Sequence, residues 1–212
     1  MKTAPGIRFF VATRDGLGAV FAGPACYPPP RSEITPVSPL IIPYDGHTPT
    51  VSPSAFIAPN AVLIGNLDIG DESSIWFNVV IRADVDRITI GKRTNIQDGT
   101  VVHVSSEEGG KTRIGNDITI GHMALIHACT LEDGCFVGMS STVMDLCVIE
   151  SGAMLAAGAL LPPRKRIPAG ELWAGRPAKF LRKLTEADYE NFRGSFQSYV
   201  EEGKRYRALL GR

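Results

Sequence analysis

A six-residue repeat of apolar residues runs through the middle of the chain and constrains its fold more than any other feature. The repeat positions carry Ile, Leu or Val: Ile57, Leu63, Ile69, Ile75, Ile81, Ile90, Ile96, Val102, Ile114, Ile120, Ile126, Leu131, Val137, Val143, Ile149, Leu155 and Leu161. Four residues after a repeat position the side chain is usually small, so each hexad has two inward positions. A period of six fits neither a helix nor a long strand, whereas three strands of about six residues make one triangular coil of about 18 residues. The repeat therefore predicts a solenoid.

The repeat has two irregular stretches. The gap from Ile81 to Ile90 is nine residues, so three extra residues around positions 82–87 are expected to bulge from a corner. The gap from Val102 to Ile114 is twelve and is filled by polar residues, which predicts an extruded loop of six residues. Gly follows several repeat positions, as at Gly91 and Gly121, where we expect a missing Cβ to help the chain turn a tight corner.

Composition excludes several classes of partner. Lys plus Arg and Asp plus Glu both total 22, so the chain has no overall field that would recruit nucleic acid or an anionic membrane. No apolar run approaches the roughly 20 residues that span a bilayer, and a cytoplasmic location is favoured. The four cysteines show no CxxC pairing and are expected to be free. The alternative is a disulfide between Cys129 and Cys147, which are 18 residues apart and would stack on adjacent coils.

Three segments are predicted. Ten of the fifteen prolines precede residue 55, and we expect residues 1–38 to form a disordered extension. The alternatives are a targeting or docking arm, or a start codon assigned upstream of the true one. Residues 39–167 form the solenoid domain. Residues 168–212 form a C-terminal segment with an amphipathic helix, which Thr185 and Asp188 begin as an approximate capping box and which packs on the solenoid.

Three of the four histidines fall within 25 residues of the regular coils, and none occupies a repeat position. With six loop residues extruded, the spacing from His103 to His127 shortens from 24 to 18, which stacks the two imidazoles on successive coils about 4.8 Å apart. Both could then bind one cation at about 2.0–2.1 Å. His122 lies on the preceding side of the triangle, so a second copy in a cyclic trimer would have to supply it. Three neutral imidazoles leave a fourth position for water, as in catalytic zinc sites.

Several motifs resemble the gamma-class carbonic anhydrases, from about Pro39 to the C-terminus: RADVDRITIG, TNIQDGTVVHV, IGHMALIH, GCFVG and WAGRPAKFLR. The resemblance implies an all-β solenoid, a left-handed parallel β-helix of hexapeptide repeats with a C-terminal α-helix packed on it. It implies a homotrimer in which zinc, or alternatively iron or cobalt, binds His103 and His127 of one subunit and His122 of its neighbour. The implied activity is that of a carbonate dehydratase-type lyase, in which metal-bound hydroxide converts carbon dioxide to bicarbonate.

The resemblance also assigns further site residues. Arg82 and Asp84 match a pair near bound bicarbonate at the subunit interface, where an Arg fork held by a carboxylate can clamp a planar anion. Gln97 would hydrogen-bond the metal-bound water, Asp98 would join the interface ion network, and Asn95 would line the site. A set of trimer salt bridges without a chemical role is the alternative for the three charged residues.

The proton-transfer group is less well defined. Members with a long acidic loop carry a Glu shuttle after the RxD segment, but only VDR stands there in this chain, which places it in the short-acidic-loop subgroup. Glu107 and Glu108 are read as a solvated loop tip, and Tyr199 resembles a tyrosine that short-loop relatives carry near the site. Two alternatives stay open, a thioester hydrolase using the same metal hydroxide and a metal-stabilised scaffold subunit. An acyltransferase is disfavoured.

Overall fold

The structure is a computed structural model that describes residues 9–13, 16–20 and 38–211. The chain divides into two units, at residues 1–35 and 36–212. In the first unit, strands β1 (Phe9–Thr13) and β2 (Gly16–Val20) pair in antiparallel fashion. The disordered extension predicted for residues 1–38 falls largely on residues outside the described ranges and stays a prediction, and Cys26 also lies outside them.

The second unit is a parallel β-helix of about seven turns with one C-terminal helix, as the repeat predicts. Its strands are β3 (Leu40–Ile42), β4 (Thr50–Val51), β5 (Phe56–Ile57), β6 (Val62–Ile69), β7 (Ser74–Ile75), β8 (Val80–Ile90), β9 (Asn95–Ile96), β10 (Val101–His103), β11 (Thr112–Ile114), β12 (Thr119–Ile120), β13 (Leu125–His127), β14 (Thr130–Leu131), β15 (Phe136–Val137), β16 (Thr142–Val143), β17 (Val148–Ile149), β18 (Met154–Leu155), β19 (Leu160–Leu161), β20 (Arg166–Ile167), β21 (Glu171–Gly175) and β22 (Ala178–Lys183).

The strands form three faces. Face A contains β3, β10, β13, β16 and β19 with the first halves of β6 and β8. Face B contains β4, β11, β14, β17 and β20 with the second halves of β6 and β8, which therefore bend around a corner. Face C contains β5, β7, β9, β12, β15, β18, β21 and β22.

The repeat positions form the core. Each of the seventeen aliphatic residues is at most 8% exposed, and the small residues four positions later are buried beside them. Full burial of one such aliphatic side chain contributes about 1.5–3 kcal/mol, so the stacked rows are the main source of stability. The predicted inward positions are confirmed.

Both irregular stretches lie where the sequence predicts them. Ala83 pairs with Gly65 and Ile88 pairs with Leu67, so residues 84–87 face one residue of β6 and carry three extra positions. The second irregularity is the loop of residues 104–111 between β10 and β11. Thr112 closes it by donating a hydrogen bond from Oγ1 to the His103 carbonyl oxygen at 2.5 Å.

The outward side chains distinguish the faces. On face A they form a register-aligned row, here called the aliphatic ladder: Leu40, Val62, Val80, Val101, Leu125, Thr142 and Leu160. The matching row on face B is mostly polar: Thr50, Asp68, Thr89, Arg113, Thr130, Val148 and Arg166. Within the ladder, Leu40 is 55% exposed and Val101 and Leu125 are each 38% exposed. Face A is therefore an apolar surface that the single chain leaves uncovered.

Face C is covered by helix α1 (Glu186–Leu209). The helix begins with the predicted capping box between Thr185 and Asp188, and Phe192 stacks on Phe136 with ring centroids 4.9 Å apart. The regular coils extend past residue 167, because β21 adds one more parallel strand to β18 before β22 returns antiparallel. No helix in the described part of the chain is long and apolar enough to cross a membrane.

The glycines that follow repeat positions do need a missing Cβ, as predicted, but for a reason other than corner turning. Gly91 and Gly121 do not adopt positive φ; the corners are instead made by residues such as Gly134 and Asn78, which do. A Cβ on Gly91 would lie 2.6 Å from the carbonyl carbon of Gly115 on the next coil. Gly is required at this position because successive coils approach closely there.

Cys129, Cys135 and Cys147 are buried and free, as predicted. Burial raises the pKa of each thiol. They are therefore packing residues in their thiol form.

The close approach of coils can be tested with two Gly→Ala substitutions. We expect Gly91→Ala to destabilise the protein by about 1–3 kcal/mol, because the methyl group overpacks the next coil. The control Gly194→Ala lies on the exposed surface of α1, where nothing would contact the new Cβ, and should be neutral or raise stability by about 0.5–1 kcal/mol. Thermal unfolding measures both, and an equal midpoint for the two variants would contradict the packing role.

Candidate metal centre

His103 and His127 stack at the edge where face A turns into face B. They are partners in the register of β10 and β13, so the predicted alignment is confirmed. His103 Nδ1 lies 3.1 Å from His127 Nε2, and the ring centroids are 5.1 Å apart. Extrusion of residues 104–111 produces this register, because a spacing of 24 in sequence becomes one coil in space.

The other nitrogen of each ring contacts a carboxylate. His103 Nε2 lies 3.1 Å from Asp84 Oδ1, and His127 Nδ1 lies 2.5 Å from Asp145 Oδ1. Such outer carboxylates fix the tautomer and orientation of histidines that bind metals. Asp145 was missed by the sequence analysis, although it follows His127 by 18 residues, which is the spacing that marks vertical neighbours.

The two inner nitrogens fit a shared cation. When Asp84 and Asp145 each accept an N–H bond, His103 Nδ1 and His127 Nε2 are both unprotonated and lie 3.1 Å apart, so that each has a lone pair available to a cation. Two ligands on a tetrahedral zinc ion lie about 3.3 Å apart, since each Zn–N bond is about 2.0–2.1 Å. The donor set therefore suits two adjacent positions of a metal ion, and a proton or cation between the rings removes the repulsion.

The ionisation of His103 and Asp84 also suits metal binding. Burial lowers the pKa of His103, although Asp84 opposes this effect. Burial alone would raise the pKa of Asp84, but hydrogen bonds from Arg82 and His103 bring it below its ordinary value. The result is a neutral imidazole beside an ionised carboxylate.

His122 lies at a different edge, where face C turns into face A. Its Nδ1 lies 2.9 Å from Asp98 Oδ2, and its Nε2 takes no part in this contact. Within residues 9–13, 16–20 and 38–211, no three His, Cys, Asp or Glu side chains come close enough to hold a metal ion. One chain thus brings together two of the three predicted ligands, and His122 does not join them.

Arg82 and Asp84 are brought together beside the histidine pair. Arg82 is the register partner of His103 on the neighbouring coil, and its Nη1 donates to Asp84 Oδ2. Asp84 therefore lies between the guanidinium and the imidazole. The Arg82 guanidinium is partly exposed beside the histidines, and its role as an anion clamp stays a prediction.

Gln97 and Asn95 are buried on face C. Gln97 Nε2 donates to Asn95 Oδ1 at 3.0 Å, and Asn95 Nδ2 donates to Thr119 Oγ1 at 2.9 Å. Thr119 Oγ1 lies 3.0 Å from Ser195 Oγ on α1. Thr119 and Ser195 were not predicted as site-related residues.

Tyr199 lies on the His122 side of the molecule. Its ring packs edge-on against Trp76 with centroids 5.3 Å apart, and both residues line a groove of about 530 Å³ together with Asp98. Burial, with a smaller contribution from Asp98, raises the pKa of the Tyr199 hydroxyl. Glu107 is exposed in the loop of residues 104–111, as predicted for the loop tip.

A solved structure of a similar protein shows the fold class of the chain. A solved hexapeptide transferase family protein from Anaplasma phagocytophilum is 50% identical and superposes with a TM-score of 0.76, covering 79% of this chain and 98% of that one. The fold is thus the hexapeptide-repeat left-handed β-helix. No protein-family model matches the chain.

Two curated relatives show the family to which the chain belongs. "Gamma carbonic anhydrase 2, mitochondrial" of Arabidopsis thaliana is 48% identical over 157 residues, which are 72% of this chain and 56% of that protein. "Carbonic anhydrase" of Geobacillus kaustophilus is 42% identical over 170 residues, which are 80% of this chain and 92% of that protein. The chain belongs to the gamma carbonic anhydrase family, and it spans little more than half the length of its plant relative.

The carboxylate behind His127 can be tested in metal binding. We expect Asp145→Asn to weaken metal affinity about 10–100-fold, the usual effect of losing an outer carboxylate on a histidine ligand. Competition with a chromophoric chelator measures the affinity. Asp71→Asn is the control, because Asp71 pairs with Lys92 on the surface of another corner. Equal affinities for the two variants would show that Asp145 does not support a ligand.

Proposed function

We propose that the chain is a carbonic anhydrase that hydrates carbon dioxide reversibly and works as a homotrimer with its metal centres between subunits. The observation that carries the proposal is the convergence of His103 Nδ1 and His127 Nε2, each ring being held from behind by a carboxylate. The relatives named carbonic anhydrase support the same activity.

The uncovered face supports the trimer. The aliphatic ladder of face A runs between the two edges that carry the histidines, with His122 at one edge and the His103–His127 pair at the other. In a cyclic trimer with face A turned towards the axis, the two edges of neighbouring chains meet. Burial of the ladder would stabilise the assembly and bring His122 of the partner subunit to the pair.

The residues of this chain have distinct tasks in the proposed site. A zinc, iron or cobalt ion bound by the three imidazoles would act as a Lewis acid that makes water a nucleophile near neutral pH. Arg82, oriented by Asp84, would bind the bicarbonate product through its guanidinium fork. Gln97 would orient the attacking water, and Tyr199 would line the approach from the His122 side.

One observation favours a second candidate function. The groove of about 530 Å³ beside Asp98 and Tyr199 is much larger than carbon dioxide requires, and it is lined by Trp76 and Tyr206. An organic thioester could occupy such a groove and be hydrolysed by the same nucleophile. A protein that binds metal but has neither activity would be a scaffold subunit.

Activity is tested by stopped-flow hydration of carbon dioxide. The protein is purified anaerobically and loaded with zinc, iron(II) or cobalt(II). We expect hydration well above the buffer rate, and we expect His127→Ala to reduce it to background because one ligand is lost. Cleavage of acyl-coenzyme A thioesters by a loaded protein that does not hydrate carbon dioxide would favour the hydrolase.

Sharing of the site between subunits is tested by mixing two inactive variants. His122→Ala and His127→Ala are each expected to be inactive. When unfolded together and reassembled in equal amounts, they should recover activity at about a quarter of the interfaces, where the intact His103–His127 pair meets an intact His122. A site within one chain would recover none.

The ladder is tested by a charge on face A. We expect Leu125→Glu to give monomers in multi-angle light scattering, because a buried carboxylate without a partner opposes association. Thr130→Glu is the matched control, since Thr130 occupies the equivalent outward position on face B and should leave the assembly intact. Trimeric Leu125→Glu would contradict the proposed interface.

A further inference from the structure

We propose that Thr119 and Ser195 are positioning residues: with Asn95 they fix the side-chain amide of Gln97 so that its carbonyl oxygen, and not its NH2 group, is left free for the site. The inference rests on the proposed function for its chemical consequence. The hydrogen-bond polarity itself follows from four contacts that link the site to helix α1.

The polarity starts at a backbone group that can only accept. The Ile118 carbonyl oxygen lies 3.3 Å from Asn95 Nδ2, so the NH2 end of Asn95 must face it. The same NH2 group donates its second hydrogen to Thr119 Oγ1 at 2.9 Å. Asn95 is 1% exposed, so bulk water cannot replace these partners. The amide of Asn95 is therefore fixed with Oδ1 pointing away from Ile118.

The orientation of Asn95 determines that of Gln97. Gln97 Nε2 lies 3.0 Å from Asn95 Oδ1, and Gln97 is only 5% exposed. A flipped Gln97 would place its carbonyl oxygen against that of Asn95, which repels it and leaves two buried acceptors without donors. Gln97 therefore keeps Oε1 as a free acceptor.

Thr119 links the Asn95 side chain to helix α1. Its hydroxyl accepts from Asn95 Nδ2, and Ser195 Oγ lies 3.0 Å away, so the two hydroxyls share a hydrogen bond in which either can donate. Ser195 is held there by the packing of α1 on face C, one turn after the Phe192–Phe136 stack. The packing of the helix is thus linked to Gln97 through a row of hydrogen bonds that are buried, except for the partly buried one to Ser195.

The polarity matters for the chemistry. An acceptor at Gln97 Oε1 can hold the hydrogen of the attacking water or hydroxide, so that a lone pair of the oxygen stays directed at the carbon atom. An NH2 group in the same place would donate to that lone pair and compete with the attack. The family resemblance assigns a site role to Gln97 and Asn95, whereas Thr119 and Ser195 enter through the contacts of this structure.

The experiment uses Thr119→Val, which keeps the shape and removes the hydroxyl, with Thr119→Ser as the conservative rescue. A second pair is Ser195→Ala with the control Gln197→Ala, which removes an exposed side chain from the same helix. The first readout is solvent exchange of the side-chain NH2 groups of Asn95 and Gln97 in 15N-labelled protein without metal. We expect exchange to become about tenfold or more faster in Thr119→Val and to be little changed in Thr119→Ser.

The second readout is carbon dioxide hydration by the metal-loaded variants. We expect Thr119→Val to lower kcat about tenfold with KM and metal content unchanged, the effect of one misdirected hydrogen bond, and Thr119→Ser to restore it. Ser195→Ala should change both readouts in the same direction by a smaller factor, and Gln197→Ala should change neither.

The two readouts separate the inference from the proposed function. A wild-type protein that hydrates no carbon dioxide would overturn the proposed function, and the exchange rates would still decide whether the amides are fixed. Unchanged exchange in Thr119→Val would overturn the positioning role. If Thr119→Val does not assemble, Ser195→Ala decides the same question. Behaviour identical to that of Gln197→Ala would show that helix α1 does not help to position Gln97.

Discussion

The parallel ladder of backbone hydrogen bonds holds each coil directly over the last, and every other feature of the molecule depends on this alignment. It makes residues 18 apart into neighbours wherever the repeat is regular, as for Cys129 and Cys147. Because the coils are so close, the positions that follow repeat residues cannot all carry a Cβ, as at Gly91. The same alignment sorts outward side chains into three rows of different chemistry. One row is covered by α1, one is polar, and one is aliphatic and open.

Two departures from the repeat build the candidate site. Residues 84–87 add three positions to one coil, and residues 104–111 add six to the next. Together they bring Asp84, His103, His127 and Asp145 into one column, although the sequence spacings between them are 19, 24 and 18. His103 and His127 stay out of the core because they occupy outward positions, directly after the buried Val102 and Ile126.

Much of this could be predicted from sequence because it depends on period alone. The inward rows, the register of His103 with His127 and the capping box at Thr185 follow from spacing or from contacts within one turn. Asp145 also follows from spacing, because it lies 18 residues after His127, but it was not predicted. The contact between Thr119 and Ser195 was not predictable, because it joins residues 76 apart and depends on how α1 is rotated against face C. The missing Cβ at Gly91 was predicted, but its cause was not, since a glycine needed for corner turning and one needed for close approach of two coils look the same in sequence.

The separation of His122 from the other two imidazoles has a thermodynamic consequence. In the proposed trimer, ion retention and subunit association are two parts of one linked equilibrium, so each strengthens the other by the same free energy. Dilution of the protein would then release the ion, and a chelator would loosen the contacts between copies. A newly made chain would gain its chemistry only on reaching the concentration at which it finds its neighbours, which ties the onset of turnover to abundance.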